Sequence, residues 1–143
     1  MMTAEMVAKL RRSLILHEGM KNYPYVDTEG NITIGIGYNI SARGLDDEWI
    51  NTQYNKDVNF FYNRLYEDFD WFKTLNLDRQ IVLVDMAFMG YKHFCSFKKM
   101  IDALSRGDYF IASKEMLDSE WGRKFSGRAT QLAKAMLTGS YEI

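Results

Sequence analysis

Apolar side chains return at Val7, Leu10 and Leu14 behind Thr3, whose hydroxyl suits an N-cap, and Gly19 supplies a stop, so the pattern predicts a helix over residues 3–18. The rhythm then changes. After Tyr23-Pro24-Tyr25-Val26 and the turn-rich Asp27-Thr28-Glu29-Gly30, residues alternate strictly, with Ile32, Ile34 and Ile36 facing one way and Thr33, Gly35 and Gly37 the other. A period of two predicts a β-hairpin with one apolar face and one face nearly bare of side chains. Strands tolerate bare backbone poorly unless something must approach it closely.

From Asp46 to Phe69 the apolar residues Trp49, Ile50, Tyr54, Val58, Phe61, Leu65 and Phe69 recur three and four apart, interleaved with asparagines. This predicts one long amphipathic helix, or two with a bend. Behind Asp78, read as an N-cap, residues 81–88 are apolar nearly all round apart from Asp85, as expected of a helix at the centre of a bundle. Three shorter helices are expected over 97–106, closed by Gly107; over 109–118, opened by Asp108; and over 128–137, closed by Gly139. The expected architecture is α+β, a single domain over residues 1–143. It has a small β-containing lobe near 20–45, a connecting helix, and an all-helical lobe from about 72 onward on which helix 3–18 packs. A cleft between the lobes is the default ligand site.

Composition narrows the function classes. The 143 residues exclude several domains in series, and 47% hydrophobic against 26% charged residues, with a single proline, describes a chain able to bury a core. Because 18 Lys and Arg nearly balance 19 Asp and Glu, no whole-molecule basic field exists to attract nucleic acid or anionic lipid. The lone Cys95 cannot form an intrachain disulfide and fits a reducing compartment. The apolar run Leu14-Ile15-Leu16 is too short for a signal-peptide core, and nothing approaches the ~18 apolar residues of a membrane span. The expectation is a soluble chain with no secretion signal of its own.

Metal chemistry has little to work with, since His17 and His93 are the only histidines and a closed zinc site needs four ligands. No Gly-x-Ser-x-Gly elbow exposes a nucleophile, and Gly35-Ile36-Gly37 lacks the third glycine of a phosphate-binding loop. Two carboxylates remain. Glu18 closes the first helix and Asp27 follows nine residues later, both preceding the glycine-lined strand. Glycoside hydrolysis needs such a pair, a protonated acid for the leaving oxygen and an ionised carboxylate on the opposite face of the sugar. A carboxylate at a helix C-terminus meets the negative end of the dipole, which favours the protonated form a general acid requires. Glu18 therefore suits the acid and Asp27, in a polar turn, the base. Taken alone, however, a Glu ending a helix is usually solvated, an Asp in Asp-Thr-Glu-Gly usually forms a turn, and the glycines serve equally as turn or bulge residues.

The segment Leu16-His17-Glu18-Gly19 through Tyr25-Val26-Asp27-Thr28-Glu29-Gly30-Asn31-Ile32-Thr33-Ile34-Gly35-Ile36-Gly37-Tyr38 resembles the active-site segment of the phage-type lysozymes, glycoside hydrolase family 24. The likeness continues through Met86-Ala87-Phe88, Phe97-Lys98-Lys99-Met100, Gly107-Asp108-Tyr109, the stretch from Glu115 to Trp121, and Arg128-Ala129 through Gly139. It implies a lysozyme-like fold in which Glu18 is the proton donor, Asp27 the second catalytic carboxylate and Thr33 the hydroxyl that helps hold the attacking water. It further implies that Gly35, Asn39 and Phe88 contact substrate and that Arg128 approaches the glutamate in a supporting role.

The implied activity is a muramidase, cleaving the β-1,4 bond between N-acetylmuramic acid and N-acetylglucosamine with inversion, in a phage endolysin. Such chemistry needs no metal or organic cofactor. The same reading expects a monomer acting on bacterial peptidoglycan, with no nucleic acid and no stable membrane insertion. The chain would reside in the host cytoplasm before lysis and act in the periplasm, a separate holin-like protein giving access. This sequence departs from the family at Tyr38, where many members have His, and at Asp85 and Met89, where members often have Asn. It is also shorter between the hairpin and the helical half.

Other features have plainer readings. The aromatic set Phe60, Phe61, Tyr62, Tyr66, Phe69, Trp71 and Phe72 is expected in the core and lobe junction, as is Trp121 in the core. Arg123, Lys124, Arg128 and Lys134 are expected on a solvated helical face. Two rivals are a non-catalytic peptidoglycan-binding module on the same fold and a helical nucleic-acid-binding protein. The intact Glu18, Asp27 and Thr33 argue against the first, and the near-zero net charge against the second.

Overall fold

A computed structural model describes all residues, 1–143, and divides the chain into two compact units, Met1–Thr52 and Gln53–Ile143. The first unit opens with α1 (Ala4–Glu18), where the Thr3 hydroxyl accepts from the Met6 N–H at 3.2 Å as its N-cap position requires. Gly19, at φ +79°, ends the helix with its N–H on the Ile15 carbonyl.

Three antiparallel strands follow in the order β1 (Lys21–Val26), β2 (Ile32–Gly35) and β3 (Tyr38–Asn39). The register pairs Tyr25 with Thr33 and Val26 with Ile32, then becomes irregular between Lys21 and Tyr25. Pro24 lies in that irregular span, where a residue with no N–H is tolerated.

The sheet corrects the simple alternation expected from the sequence. Gly35 and Gly37 both sit at φ +67°, a left-handed conformation foreign to strands, so β2 ends at Gly35 and the chain turns into a third short strand. The buried residue of β2 is Thr33, 5% exposed, whereas Ile32 is 46% exposed. A short helix not expected from the pattern, α2 (Ile40–Arg43), follows with Asn39 as its N-cap. Tyr38, the residue standing where the resembled family has His, donates its hydroxyl to the Gly44 carbonyl and lies under the Arg43 guanidinium at 4.3 Å.

The amphipathic pattern after Asp46 forms one continuous helix, α3 (Asp47–Asp68), whose start is capped by the Asp46 carboxylate on the Trp49 N–H at 2.8 Å. Beyond it, a 3-10 turn at Asp70–Thr74 leads to α4 (Leu77–Ala87), α5 (Tyr91–Cys95), α6 (Lys98–Ser105), α7 (Tyr109–Asp118), α8 (Glu120–Lys124) and α9 (Ser126–Thr138). Expected α4, α6, α7 and α9 are present. The five-residue α5 and α8 were not legible as periodic segments.

The N-cap of α4 is Asn76 rather than Asp78. Asn76 Oδ1 accepts from the Arg79 N–H, while Asp78 reaches out to the Tyr141 N–H at 2.9 Å. Arg79 completes this clamp, donating to the Met136 and Leu137 carbonyls at 2.8 and 3.0 Å, so its guanidinium satisfies two of the orphan acceptors at the end of α9.

The core belongs to the second unit. Leu65, Phe72, Val82, Leu83, Met86, Phe94, Met116, Leu132 and Met136 are fully buried, and Trp121 is buried as expected. Of the aromatic set, Phe72 is core and Phe61, Phe69 and Trp71 pack against it, whereas Phe60, Tyr62 and Tyr66 remain substantially exposed. The Tyr91 hydroxyl donates to Asp68 at 2.7 Å and tethers α5 to the end of α3; burial and that bond push its proton affinity up. No helix is long and apolar enough to cross a membrane.

Candidate active site

Glu18 is the last residue of α1, and the sharp exit at Gly19 turns the chain directly into β1. Its side chain crosses to the turn between β2 and β3. A Cβ placed on Gly37 would stand 3.3 Å from Glu18 Cγ and 3.4 Å from both Cδ and Oε2. The glycine thus serves twice, once for its positive φ and once because a carboxylate lies where a side chain would begin. Gly35 has the same φ, yet nothing lies within 4 Å of its Cβ position. Close approach to bare backbone, anticipated for the glycine face as a whole, is realised at Gly37.

Asp27 sits where β1 gives way to the turn leading into β2. Its Oδ1 accepts from the backbone N–H groups of Glu29 at 2.9 Å and Asn31 at 2.8 Å, and Oδ2 meets the Asn31 side-chain amide at 3.4 Å. This is an Asx-type turn, the structural role expected of an Asp in Asp-Thr-Glu-Gly. The Asn31 N–H is the strongest influence holding the Asp27 carboxyl below its ordinary 3.8. Partial burial opposes it, and the Glu29 N–H, the Asn31 amide and the Thr33 hydroxyl add to the lowering. Asp27 is accordingly an ionised acceptor at neutral pH.

Thr33 occupies the central strand, paired with Tyr25 on one side and Asn39 on the other. Its hydroxyl donates to the Asn31 carbonyl at 3.3 Å. The turn residue Asn31 therefore joins Asp27 to Thr33, a link that only the folded turn reveals. Asn39 spends its side-chain oxygen on α2, accepting from the Ser41 hydroxyl at 2.8 Å and the Ala42 N–H at 3.0 Å. Gly35 lines a recess of about 400 Å³ with Ile34, Tyr38, Ile40, Leu45 and Trp49.

In the second unit, Phe88 ends α4 with its ring 5.0 Å from that of Phe61. It shares a hollow of about 710 Å³ with Tyr54, Tyr62, Asp85 and Arg128. Arg128 Nε and Nη2 donate to Asp85 Oδ1 at 2.9 and 2.6 Å, and Nη2 also reaches the Asp85 carbonyl at 2.8 Å. A carboxylate at position 85 thus engages the arginine directly. The signal for this pair was visible as the one charge in the otherwise apolar run 81–88, although its partner was not. No three His, Cys, Asp or Glu side chains converge as metal ligands would.

A three-stranded antiparallel sheet among nine helices, with a Glu at a helix end and an Asp in the hairpin turn, defines a lysozyme-like α+β protein. Sequence comparison agrees. The chain is 31% identical to the pre-baseplate central spike protein Gp5 of Enterobacteria phage T4, across 96% of this chain and 28% of that protein. It is 27% and 25% identical to the probable T4-type lysozymes 2 and 1 of Dictyostelium discoideum, across 94% of this chain and 97% of each relative. It therefore spans little more than a quarter of the spike protein but nearly the full length of the other two. No protein-family model matches it. The chain is thus similar, over nearly its whole length, to proteins named as T4-type lysozymes.

Proposed function

We propose that this chain is a peptidoglycan hydrolase, a muramidase cleaving the β-1,4 bond between N-acetylmuramic acid and N-acetylglucosamine. The observation that carries the reading is the arrangement around the hairpin, with Glu18 laid against Gly37 and Asp27 held ionised by the turn. Its relatives support a lysozyme-type glycosidase at the level of the family. Glu18 donates the proton to the leaving oxygen. Asp27, with the Thr33 hydroxyl, orients a water for attack from the opposite face, which inverts the anomeric centre. Within the first unit Gly35 and Asn39 contact the glycan; Phe88 is a glycan contact of the second unit, where Arg128 is engaged by Asp85.

As an endolysin, the protein acts as a monomer on the wall in the periplasm and depends on a holin-like partner to leave the host cytoplasm. The likeness to a central spike protein favours a second setting, the same bond cleavage performed by a component of a phage particle.

Clearing of purified bacterial walls, with mass spectrometry of the released fragments, tests the reaction. Muropeptides with reducing N-acetylmuramic acid ends are expected, and free peptides with intact glycan would exclude a muramidase. Proton NMR of fresh digests should show the α-anomer first; initial β-anomer would make Asp27 a nucleophile. Expression with and without a holin separates the two settings, since lysis only with the holin is the endolysin outcome.

A further inference from the structure

The Asp27 carboxylate is held unequally. Oδ1 takes two short bonds from backbone N–H groups, whereas the Asn31 amide meets Oδ2 at a longer 3.4 Å. Charge-assisted bonds of the first kind fix an oxygen and occupy its lone pairs. Oδ2 is consequently the oxygen left to accept a proton. On the other side of the turn, the Asn31 carbonyl accepts both the Asp27 N–H at 2.9 Å and the Thr33 hydroxyl at 3.3 Å. The same hydroxyl also acts on the Asp27 carboxyl, so its single proton is shared between the Asn31 carbonyl and Asp27.

We propose that Asn31 is the positioning residue for Asp27 and Thr33, its N–H and side-chain amide orienting the carboxylate and its carbonyl drawing on the Thr33 hydroxyl. The proposal rests on the reading of Asp27 as the water-orienting base. It identifies a specific task for a residue that, in sequence, is only one more turn letter between Gly30 and Ile32.

Asn31→Leu keeps the volume and deletes the amide, and Asn31→Ala makes the same deletion with a smaller side chain. Positive φ is confined to glycines, so position 31 accepts either residue, and the backbone bonds of the turn survive in both. Carboxyl-carbon NMR of the full chain follows Asp27 without any substrate. In both variants Asp27 should titrate at higher pH than in the wild type, because a donor to its ionised form is gone. Turnover of wall fragments should fall about threefold to tenfold, the worth of one hydrogen bond, in kcat with KM unchanged, and the acid limb of the pH–rate profile should move upward. An Asp27 titration identical in wild type and both variants overturns the proposal. A wild type that clears no walls while the titration shift is present counts against the hydrolase reading and leaves the coupling of Asn31 to Asp27 standing.

Discussion

The two units of the chain are built on different physics. Every buried apolar side chain lies between Leu65 and Met136, within the second unit, where nineteen residues form one core cluster. In the first unit the only buried residue is a threonine, Thr33. Its order comes from backbone hydrogen bonds, from side chains that cap and turn, and from five glycines at positive φ. The lesson is a division of labour. Packed side chains hold the helical unit together, while the carboxylates are aimed by N–H groups and by the absence of a side chain at Gly37. Stability and chemistry should respond to separate sets of substitutions.

The sharpest way to break that comparison is at Glu18. Glu18→Gln preserves shape and contact with Gly37 but cannot deliver a proton, so wall clearing should fall about 10²–10⁴-fold with the melting temperature unchanged. A variant that loses both would show that Glu18 holds the fold. The converse is Phe72→Ala, at a fully buried position of the second unit. It should cost about 3–5 kcal/mol in denaturant titration, with activity per folded molecule retained.

A finer test uses the two glycines of equal φ. Alanine at either position should cost about 1–2 kcal/mol for the left-handed backbone, and the two losses should match. Gly37→Ala should lose about tenfold more activity than Gly35→Ala, because only its methyl displaces Glu18. Equal activities would remove Gly37 from the positioning of the acid.

The smallest effect expected is one of pH. Asp27 is depressed below 3.8, so its ionised form stabilises the fold; that contribution is complete above 3.8 and disappears as pH falls through the lower folded value. The stability difference between wild type and Asp27→Asn should therefore narrow below pH 3.8. A constant difference down to the acid transition would contradict the lowering.

Much of this was legible because the controlling interactions are local. Thr3 and Asp108 cap the residues three positions on, and the three-and-four spacing after Asp46 matches one face of a helix, so α1, α7 and α3 could be read directly. The misreadings arise where a choice depends on distant partners. Asn76 and Asp78 are both good caps in isolation, and what decides between them is the pull of Tyr141 on Asp78, sixty-three residues away. Gly35 continues an alternating pattern on paper, but its backbone leaves the strand to begin β3, a two-residue strand with no pattern of its own. Glu18 and Asp27 were singled out by type and spacing and given roles by the family resemblance, whereas Asn31 and the Asp85–Arg128 pair emerged only from the fold. Their significance lies in who they touch, and composition along a line does not carry that.

The clamp at Arg79 also shapes how the helical unit comes apart. Its bonds to Met136 and Leu137, like those of Asn76 to Gly139 and Asp78 to Tyr141, join residues 57 to 63 positions apart in the chain. Closing a loop of that length costs entropy before the first bond rewards it, so these contacts are late arrivals on the folding route. Late contacts are absent from the barrier crossing and govern the return journey. Arg79→Leu should accordingly leave the refolding rate nearly untouched and accelerate unfolding, making this guanidinium a latch on the lifetime of the native state.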